Sequence, residues 1–220
     1  MRAMARKIVR YLRKVLSPKA RLAVGTVDEV AKVYNHVYTN NQKYDSLDTS
    51  NEPKLRYVLD YASSIQGVVL DAGCGRGSVL RFLKDNGVDV FGIEMSSAAC
   101  QKYLGGLPVE NTDIVSWANK GHTYAGLINT DVLEHIPLDQ LDVTIEGLRS
   151  MSPSAFFGIA NHSSVHEGNE LHVIQEGIGW WIRKLSEHYG RLEVIVPDRK
   201  DAVLWDHFQH ERFFFVRAQD

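Results

Sequence analysis

The chain has few cysteines, no long apolar run and little net charge, and each absence excludes a class of protein. Its two cysteines, Cys74 and Cys100, are too few for a disulfide framework, which favours a reducing compartment. No stretch of about 18 apolar residues is present, so no membrane-spanning helix is expected. The formal net charge of -2 gives no overall attraction to nucleic acid. An ordinary globular composition remains, with 44% hydrophobic residues.

The first 21 residues depart from this neutral average, since they hold eight Lys or Arg residues and no acid. Their apolar residues fall on one face of a helix: Ile8, Tyr11, Leu12, Val15 and Leu16. Three interpretations stay open, namely a helix packed on its own domain, a helix on an anionic membrane surface, and an organellar transit peptide. We expect a cytoplasmic protein. The alternative is peripheral contact, through residues 1–21, with the inner membrane surface or with a partner protein.

A short apolar strand pattern that runs into a glycine-rich turn organises the rest of the chain. Residues 68–72 predict a strand, which holds the acidic Asp71 near its end and is followed by Gly73, Gly75 and Gly77. Glycine allows a positive φ and lets the backbone approach a ligand closely. A turn of this kind, at the edge of a parallel sheet, is where open α/β folds bind nucleoside cofactors.

From residue 67 onward strand and helix patterns alternate, which predicts βαβ units and a mostly parallel sheet. Strands are expected near 68–72, 88–93, 108–112, 124–130, 155–160, 192–196 and 212–217, with a loop before the last one. Helices are expected near 26–41, 52–63, 76–86, 96–103, 138–150 and 174–189. We divide the chain into residues 1–50, a basic helix plus a lid-like helical segment that carries Tyr34, Tyr38 and Tyr44, and a domain over residues 51–220.

Acidic residues follow the second and third predicted strands. Glu94 ends the second strand, where a carboxylate can accept both hydroxyls of a ribose. Asp113 follows the third strand, and the run LINTDVLEHI, residues 127–136, covers the fourth strand and the turn after it. The carboxyl ends of parallel strands meet at one edge of the sheet, so these residues are expected to share a site.

The D-x-G-x-G-x-G spacing, followed by these three segments in order, resembles the class I S-adenosylmethionine (SAM)-dependent methyltransferases, in their small-molecule and glycan branch. The resemblance covers residues from about 55 to 220. It implies a Rossmann-like, doubly wound α/β fold with a seven-stranded sheet, mostly parallel, whose last strand is antiparallel. SAM is the implied cofactor.

The resemblance also implies roles for residues at the motif positions. Gly73 and Gly75 would hold the methionine end of SAM, with Asp71 ordering the turn, and Glu94 would bind the ribose. The adenine would lie among Met95, Asp113 and Ile114, and Thr130 completes the expected cofactor site.

Methyl transfer to an oxygen benefits from a general base, and histidine has a suitable pKa. Three histidines lie just beyond the fourth and fifth predicted strands, and they are the candidate catalytic residues: His135, His162 and His166. His162, His166, Glu170 and His172 can also be interpreted as metal ligands. Ligand spacing on an irregular loop is uninformative, however, and we predict no metal site.

The resulting functional prediction is an O-methyltransferase for a small polar acceptor, most simply a hydroxyl of a sugar or of a glycan or lipid precursor. Polar loops suit hydroxyl recognition, and three aromatic residues offer a stacking surface: Trp180, Trp181 and Trp205. N- or carboxyl-methylation of a small metabolite stays open, as does a non-catalytic SAM-binding or partner-binding module. A nucleic-acid acceptor is disfavoured, because residues 129–132 lack the D/N-P-P-Y/F motif and neither cysteine follows a proline.

Overall fold

The computed structural model describes residues 27–40 and 53–220. The predicted amphipathic helix of residues 1–21, Tyr44 and the boundary at residue 50 lie outside the described residues. The two-part division of the chain and the membrane or partner contact of the N-terminus therefore stay predictions.

The described strands are, in chain order, β1 (Val69–Ala72), β2 (Val90–Glu94), β3 (Val109–Asn111), β4 (Gly126–Thr130), β5 (Ala155–Ala160), β6 (Val165–His166), β7 (Asn169–Glu170), β8 (Arg191–Ile195) and β9 (Phe213–Gln219). Seven of them form one sheet in the order β3-β2-β1-β4-β5-β9-β8, and β6 and β7 form a separate hairpin. All neighbouring pairs from β3 to β5 are parallel, whereas β9 is antiparallel to both β5 and β8. The predicted fold class is confirmed.

The helices of the described residues are α1 (Val27–Asn40), α2 (Lys54–Ser63), α3 (Ser78–Asp85), α4 (Ser97–Tyr103), α5 (Ile114–Ala118), α6 (Leu138–Met151), α7 (Ile178–Ser186) and α8 (Ala202–Gln209). A single 3₁₀ turn, Leu133–His135, follows β4. Side-chain caps fix two helix starts, since Ser96 accepts from the amide of Ala99 and Asp113 accepts from the amide of Ser116. Both caps stand directly after strands at the carboxyl edge of the sheet.

Three elements differ from the sequence prediction. The expected loop before the last strand contains α8, the short helix α5 follows Asp113, and the loop after β5 contains the β6–β7 hairpin. The hairpin turn, Glu167–Gly168, has positive φ values of 50° and 82°, as a two-residue turn between twisted strands requires.

The sheet separates two apolar clusters. One contains Trp181, Leu127, Phe157 and Phe214. The other contains Val69 of β1 and the buried residues of helices α2 and α3. All residues of β1, β4 and β5 are buried, because helices cover both faces of these central strands. No helix within the described ranges is long and apolar enough to cross a membrane.

Candidate active site

A cleft of about 760 Å³ opens at the carboxyl ends of β1 to β4. Its walls come from the ends of these strands, from the start of α5, and from helices α1 and α6 that lie over them. This is the position at which open α/β sheets bind ligands, because the strand ends leave a crevice there.

Five of the eight predicted cofactor residues line this cleft: Gly73, Glu94, Met95, Asp113 and Ile114. The other three lie close to it but outside its described wall. Asp71 is buried beneath the turn with 2% exposure. Gly75 is covered by the Tyr38 hydroxyl, and Thr130 packs against Gly158 of β5.

Two glycines of the turn are required by its geometry. Gly73 has a φ of +81°, and a Cβ there would lie 2.7 Å from Cγ2 of Val132. Gly75 has a φ of +53°, and a Cβ would lie 2.8 Å from the Tyr38 hydroxyl oxygen. Any other residue would combine backbone strain with a clash, so the turn stays open to a ligand only with glycine. Asn129 supports the turn by donating its side-chain amide to the Ala72 carbonyl at 2.8 Å.

Glu94 is held rigidly at the end of β2. One carboxylate oxygen accepts from the Gly75 amide and the other from the Ser96 amide, both at 2.8 Å. Burial raises the pKa of Glu94, and these two amide hydrogen bonds oppose the rise. Each oxygen keeps a further lone pair, so the carboxylate can also accept two hydroxyl groups from the cleft.

Asp71 is a buried carboxyl under the turn. One of its oxygens, Oδ2, has no hydrogen-bond partner among the described residues. Burial raises the pKa of Asp71 to about 7, with Lys54 opposing the rise and Glu94 adding to it. At neutral pH the group is therefore close to half protonated.

His135 is the candidate catalytic histidine that lines the cleft. Its Nδ1 lies 3.0 Å from the Leu171 carbonyl, which can only accept, so Nδ1 carries the hydrogen and Nε2 keeps a lone pair. Burial, and next the neighbouring His172, lower the pKa of His135 to about 4. The imidazole is therefore neutral at pH 7. The Tyr34 ring packs edge-on against it, with centroids 5.5 Å apart.

The other two candidate histidines stand outside the described wall of the cleft. His162 is exposed, and its Nδ1 lies 3.1 Å from the Ser163 carbonyl. His166 lies on β6, with its ring centroid 6.2 Å from that of His36 in α1. The structure thus brings one of the three to the cleft, and the sequence alone could not choose among them.

An ion pair between Lys54 and Asp131 was missed by the sequence analysis. The Lys54 ammonium of α2 lies 2.7 Å from Oδ2 of Asp131, which lines the cleft just after β4. Burial alone would raise the pKa of Asp131, but the charge and hydrogen bond of Lys54 outweigh it and the pKa is lowered. Asp131 has a φ of +57°, a strained value that turns its side chain toward this partner.

Helix α1 lies along the cleft, and the lid interpretation of this segment stays a prediction. Tyr34 and Tyr38 both line the cleft. Asn35 fastens the helix, because its side-chain oxygen accepts from the Ser96 hydroxyl at 2.8 Å and from the Ala98 amide at 3.1 Å. On the other side, His36 lies 2.8 Å from Glu167 of the β6–β7 hairpin, in an exposed pair.

The far half of the cleft is bounded by α1, the 3₁₀ turn and α6, and its residues are mainly apolar or aromatic. Val30, Tyr34 and Ile136 supply the apolar surface, and Gln140 and Thr144 add polar groups from α6. A polar pair four residues apart on one helix face was a signal that the sequence analysis did not use. None of the tryptophans proposed for stacking is among the described residues that line the cleft, and Trp181 is fully buried in the core.

Comparisons with known proteins agree with this geometry. A family model described as a methyltransferase domain matches residues 10–190. No curated protein matches the sequence.

Among solved structures, a SAM-dependent methyltransferase from Archaeoglobus fulgidus superposes with a TM-score of 0.60 at 14% identity, covering 86% of this chain and 99% of that one. The magnesium protoporphyrin IX methyltransferase of Synechocystis gives 0.58 at 17% identity, with 89% and 99% covered. The 1,6-didemethyltoxoflavin-N1-methyltransferase of Burkholderia thailandensis gives 0.63 at 14% identity, with 93% of each chain covered. At these identities the likeness shows the fold alone.

Proposed function

We propose that this protein methylates a hydroxyl group of a small acceptor molecule. The premise is that the chain belongs to the methyltransferase-domain family and is a class I SAM-dependent methyltransferase. One observation carries the proposal. The cleft continues from the glycine turn and Glu94 to a second half lined by His135, whose Nε2 keeps a lone pair. A hydrogen-bond acceptor at that point suits an acceptor that must lose a proton.

The first half of the cleft supports the predicted cofactor contacts. Gly73 lines the cleft with backbone alone, which suits the methionine end, and the free lone pairs of Glu94 suit the ribose hydroxyls. Met95 and Ile114 line the same wall and suit the faces of the adenine ring. Asp113 caps α5 through one oxygen, Oδ1, and its carboxylate retains accepting capacity for the adenine amine.

The second half supports an acceptor with an apolar body and a polar edge. Tyr34 and Ile136 suit a planar ring, while Gln140, Thr144 and His135 offer the polar contacts. A sugar or a glycan or lipid precursor remains the second acceptor class, but the tryptophans expected to stack on it stand elsewhere.

The chemistry asked of the protein is positioning and proton removal. Bound SAM supplies an electrophilic methyl group on a sulfonium. Residues of the two halves would align the acceptor oxygen with the breaking carbon–sulfur bond, and such alignment is a large part of the catalytic effect. His135 would take the hydroxyl hydrogen at Nε2 as the oxygen gains the methyl group and its O–H becomes strongly acidic, since Nδ1 is held by Leu171 and the pKa of His135 is lowered to about 4. Tyr34 and Tyr38 of α1 would exclude water from this space.

Calorimetric titration of SAM and S-adenosylhomocysteine tests the cofactor half of the proposal. We expect micromolar binding by the wild type and at least a hundred-fold loss in Glu94→Ala, because a buried acceptor of two hydroxyls is removed. Glu110→Ala is the matched control, since it removes an exposed carboxylate from the neighbouring strand β3. NAD should not bind. A folded wild type that binds neither SAM nor its product would refute the proposal and favour a partner-binding module.

Labelled SAM with panels of phenols, sugars, amines and carboxylic acids tests the acceptor half. Turnover of hydroxyl compounds, reduced at least ten-fold in His135→Ala and unchanged in His162→Ala, is the expected result. Turnover restricted to amines or carboxylates would favour the N- or carboxyl-methylation alternative.

Cytoplasmic location with peripheral membrane contact remains a proposal that rests on the basic charge of residues 1–21. The full chain should bind vesicles that contain anionic lipids, and the chain without residues 1–21 should not. Equal binding of both proteins would remove the proposal.

A further inference from the structure

Three side chains that can ligate metals meet at the end of the acceptor half of the cleft. Glu134 and His135 belong to the 3₁₀ turn after β4, and His172 follows the β6–β7 hairpin. One potential ligand atom from each lies within 4.8 Å of the others. Glu134 is fully buried and His172 is 6% exposed, whereas His135 borders the cleft. The group is thus enclosed by the protein at Glu134 and His172 and borders the cleft at His135.

Glu134 has an unused carboxylate oxygen in this group. Its Oε1 accepts from the Ala160 amide at 2.9 Å. Its Oε2 is buried and has no hydrogen-bond partner anywhere in the described part of the chain. A buried carboxyl oxygen without a hydrogen-bond partner is unfavourable, and a bound cation would satisfy it.

The two histidines are held in the same manner. The Nδ1 of His135 lies 3.0 Å from the Leu171 carbonyl, and the Nδ1 of His172 lies 2.7 Å from the His162 carbonyl. A carbonyl only accepts, so each Nδ1 donates and each Nε2 keeps its lone pair. Imidazoles that bind metals are oriented in this way, with the non-ligating nitrogen donating to a carbonyl or carboxylate. The arrangement therefore prepares two nitrogen ligands beside one oxygen ligand.

The geometry points to a binding site for one divalent transition-metal ion, which we propose is held by Glu134, His135 and His172. Two imidazoles and one carboxylate suit zinc, iron(II) or cobalt(II) better than magnesium or calcium, which prefer oxygen ligands. Ligands about 2.1 Å from a tetrahedral ion lie roughly 3.4 Å apart, so ligand atoms within 4.8 Å of one another need to close by up to about 1.4 Å. Three protein ligands leave one position open toward the cleft.

The surrounding charges agree with a cation at this point. Asp131 lies near enough for its charge to act on both Glu134 and His172, although Lys54 neutralises much of it. The Glu170 carboxylate also faces the two histidines, and its oxygens accept from Ser163, Ser164 and the His172 amide. The exposed His162 ring lies 4.8 Å from that of His172.

Two other ligand groups in the described residues carry no such argument. The carboxylate of the group at His36 and His166 is Glu167, which is exposed and pairs with His36. The group at His188 uses Asp142 and Glu187, which are exposed and both pair with Lys184. His166 and His188 also have a buried Nε2 without a hydrogen-bond partner among the residues described, but the carboxylates of their groups are exposed, whereas that of Glu134 is buried. With the ion bound, an acceptor hydroxyl would contact the metal in place of the His135 imidazole, and the metal would make that hydroxyl more acidic.

Titration of chelator-treated full-length protein with cobalt(II), followed by its visible absorption and by calorimetry, tests the site without SAM or acceptor. We expect one cobalt per chain with a four- or five-coordinate spectrum, displaced by zinc and not by magnesium. His172→Asn and Glu134→Gln should each weaken binding ten- to a hundred-fold. His210→Asn, which removes an exposed histidine from the end of α8, is the matched control and should bind as the wild type does.

Absence of stoichiometric cobalt or zinc binding by the wild type would overturn the proposal, as would equal binding by the wild type and both site variants. Circular dichroism and the SAM titration are run on each variant, so a variant that fails to fold is recognised. In that case Glu134→Asp, which keeps a carboxylate one methylene shorter, replaces it and should weaken cobalt binding by a smaller factor. Because metal binding and SAM binding are separate readouts, failure here leaves the proposed methyl transfer standing.

Discussion

Asp71 illustrates how a single residue of the cofactor turn affects stability. Its pKa is raised from 3.8 to about 7 in the folded chain, so the folded state binds this proton more tightly than the unfolded state does. The stability that follows is fully present below about pH 4 and is lost as the pH rises toward 7. Three pKa units correspond to about 4 kcal/mol.

Asp71→Asn should remove this pH dependence. We expect the free energy of unfolding of the wild type to fall by up to about 4 kcal/mol more than that of the variant between pH 4 and pH 8. Urea unfolding at a series of pH values measures the difference. Asp85→Asn, an exposed acid at the end of α3, should follow the wild-type curve. Parallel curves for the wild type and Asp71→Asn would contradict the prediction.

At the residue scale, the sequence predicts those site residues whose place follows from a local motif. Gly73 and Glu94 could be found because each stands at a fixed offset from a strand end. Lys54 and Asp131 are 77 residues apart, and no local pattern pairs them. His172 approaches His135 only because the β6–β7 hairpin turns the chain back. Long-range approach of this kind depends on packing, which a sequence pattern does not contain.

Helix α1 is the element whose position controls access to the cleft. Asn35 fastens it to the start of α4 through the Ser96 hydroxyl and the Ala98 amide. The exposed pair of His36 and Glu167 adds little, since exposed ion pairs contribute less than about 1 kcal/mol. Among the described contacts, the hydrogen bonds of Asn35 are therefore the main polar link between this helix and the cofactor half of the cleft.

Asn35→Ala should loosen α1 without unfolding the domain. Two hydrogen bonds at about 1 kcal/mol each predict a roughly ten-fold or greater rise in amide hydrogen exchange of α1. We also expect faster dissociation of S-adenosylhomocysteine in stopped-flow measurements, because Tyr34 and Tyr38 line the cleft. Lys32→Ala changes an exposed residue of the same helix and should leave both rates as they are. Unchanged exchange in Asn35→Ala would show that α1 is fixed by its apolar contacts.

At the element scale, length alone did not decide which predictions succeeded, since the seven-residue helix α4 was predicted and the eight-residue helix α8 was missed. The longer helices and the buried strands repeat their apolar pattern often enough to be recognised. The five-residue helix α5 was missed because it is little more than one turn long, and α8 was missed because its residues were interpreted as the loop before the last strand. The hairpin was missed although Glu167–Gly168 is a turn signal, because its strands have two residues each.

Strand β9 joins the two halves of the molecule, since it contributes to the apolar clusters on both faces of the sheet. Phe214 and Val216 face one cluster, and Phe213 and Phe215 face the other. Phe215 is fully buried and contacts the rings of Tyr57, Phe156 and Phe213.

Phe215→Ala should lower the free energy of unfolding by about 3 to 5 kcal/mol, because it leaves a cavity in the sheet face. That is a large part of the stability of a domain of this size, roughly 5 to 15 kcal/mol. Denaturant unfolding with Val203→Ala as control, at a side chain 61% exposed, measures it. We expect the control to change stability by less than about 0.5 kcal/mol. A loss below 1 kcal/mol in Phe215→Ala would mean that the neighbouring rings refill the space.

At the scale of the whole molecule, the fold was predictable because alternating strands and helices permit few topologies. The acceptor was not, because it depends on which side chains of α1 and α6 face the cleft. Trp181 shows the limit, since the residue expected to stack on a sugar ring is buried in the core. Composition predicts that an aromatic residue is present and not which surface it faces.

The place of β9 between β5 and β8 also affects how the chain folds during its synthesis on the ribosome. Strands β1 to β5 and β8 emerge before β9, yet in the described residues β8 pairs with the sheet only through β9. Until β9 leaves the exit tunnel, the nascent chain carries an unpaired edge on β5 and an unattached β8. Open edges and uncovered phenylalanines invite pairing with other chains, so aggregation during synthesis is most expected in this interval.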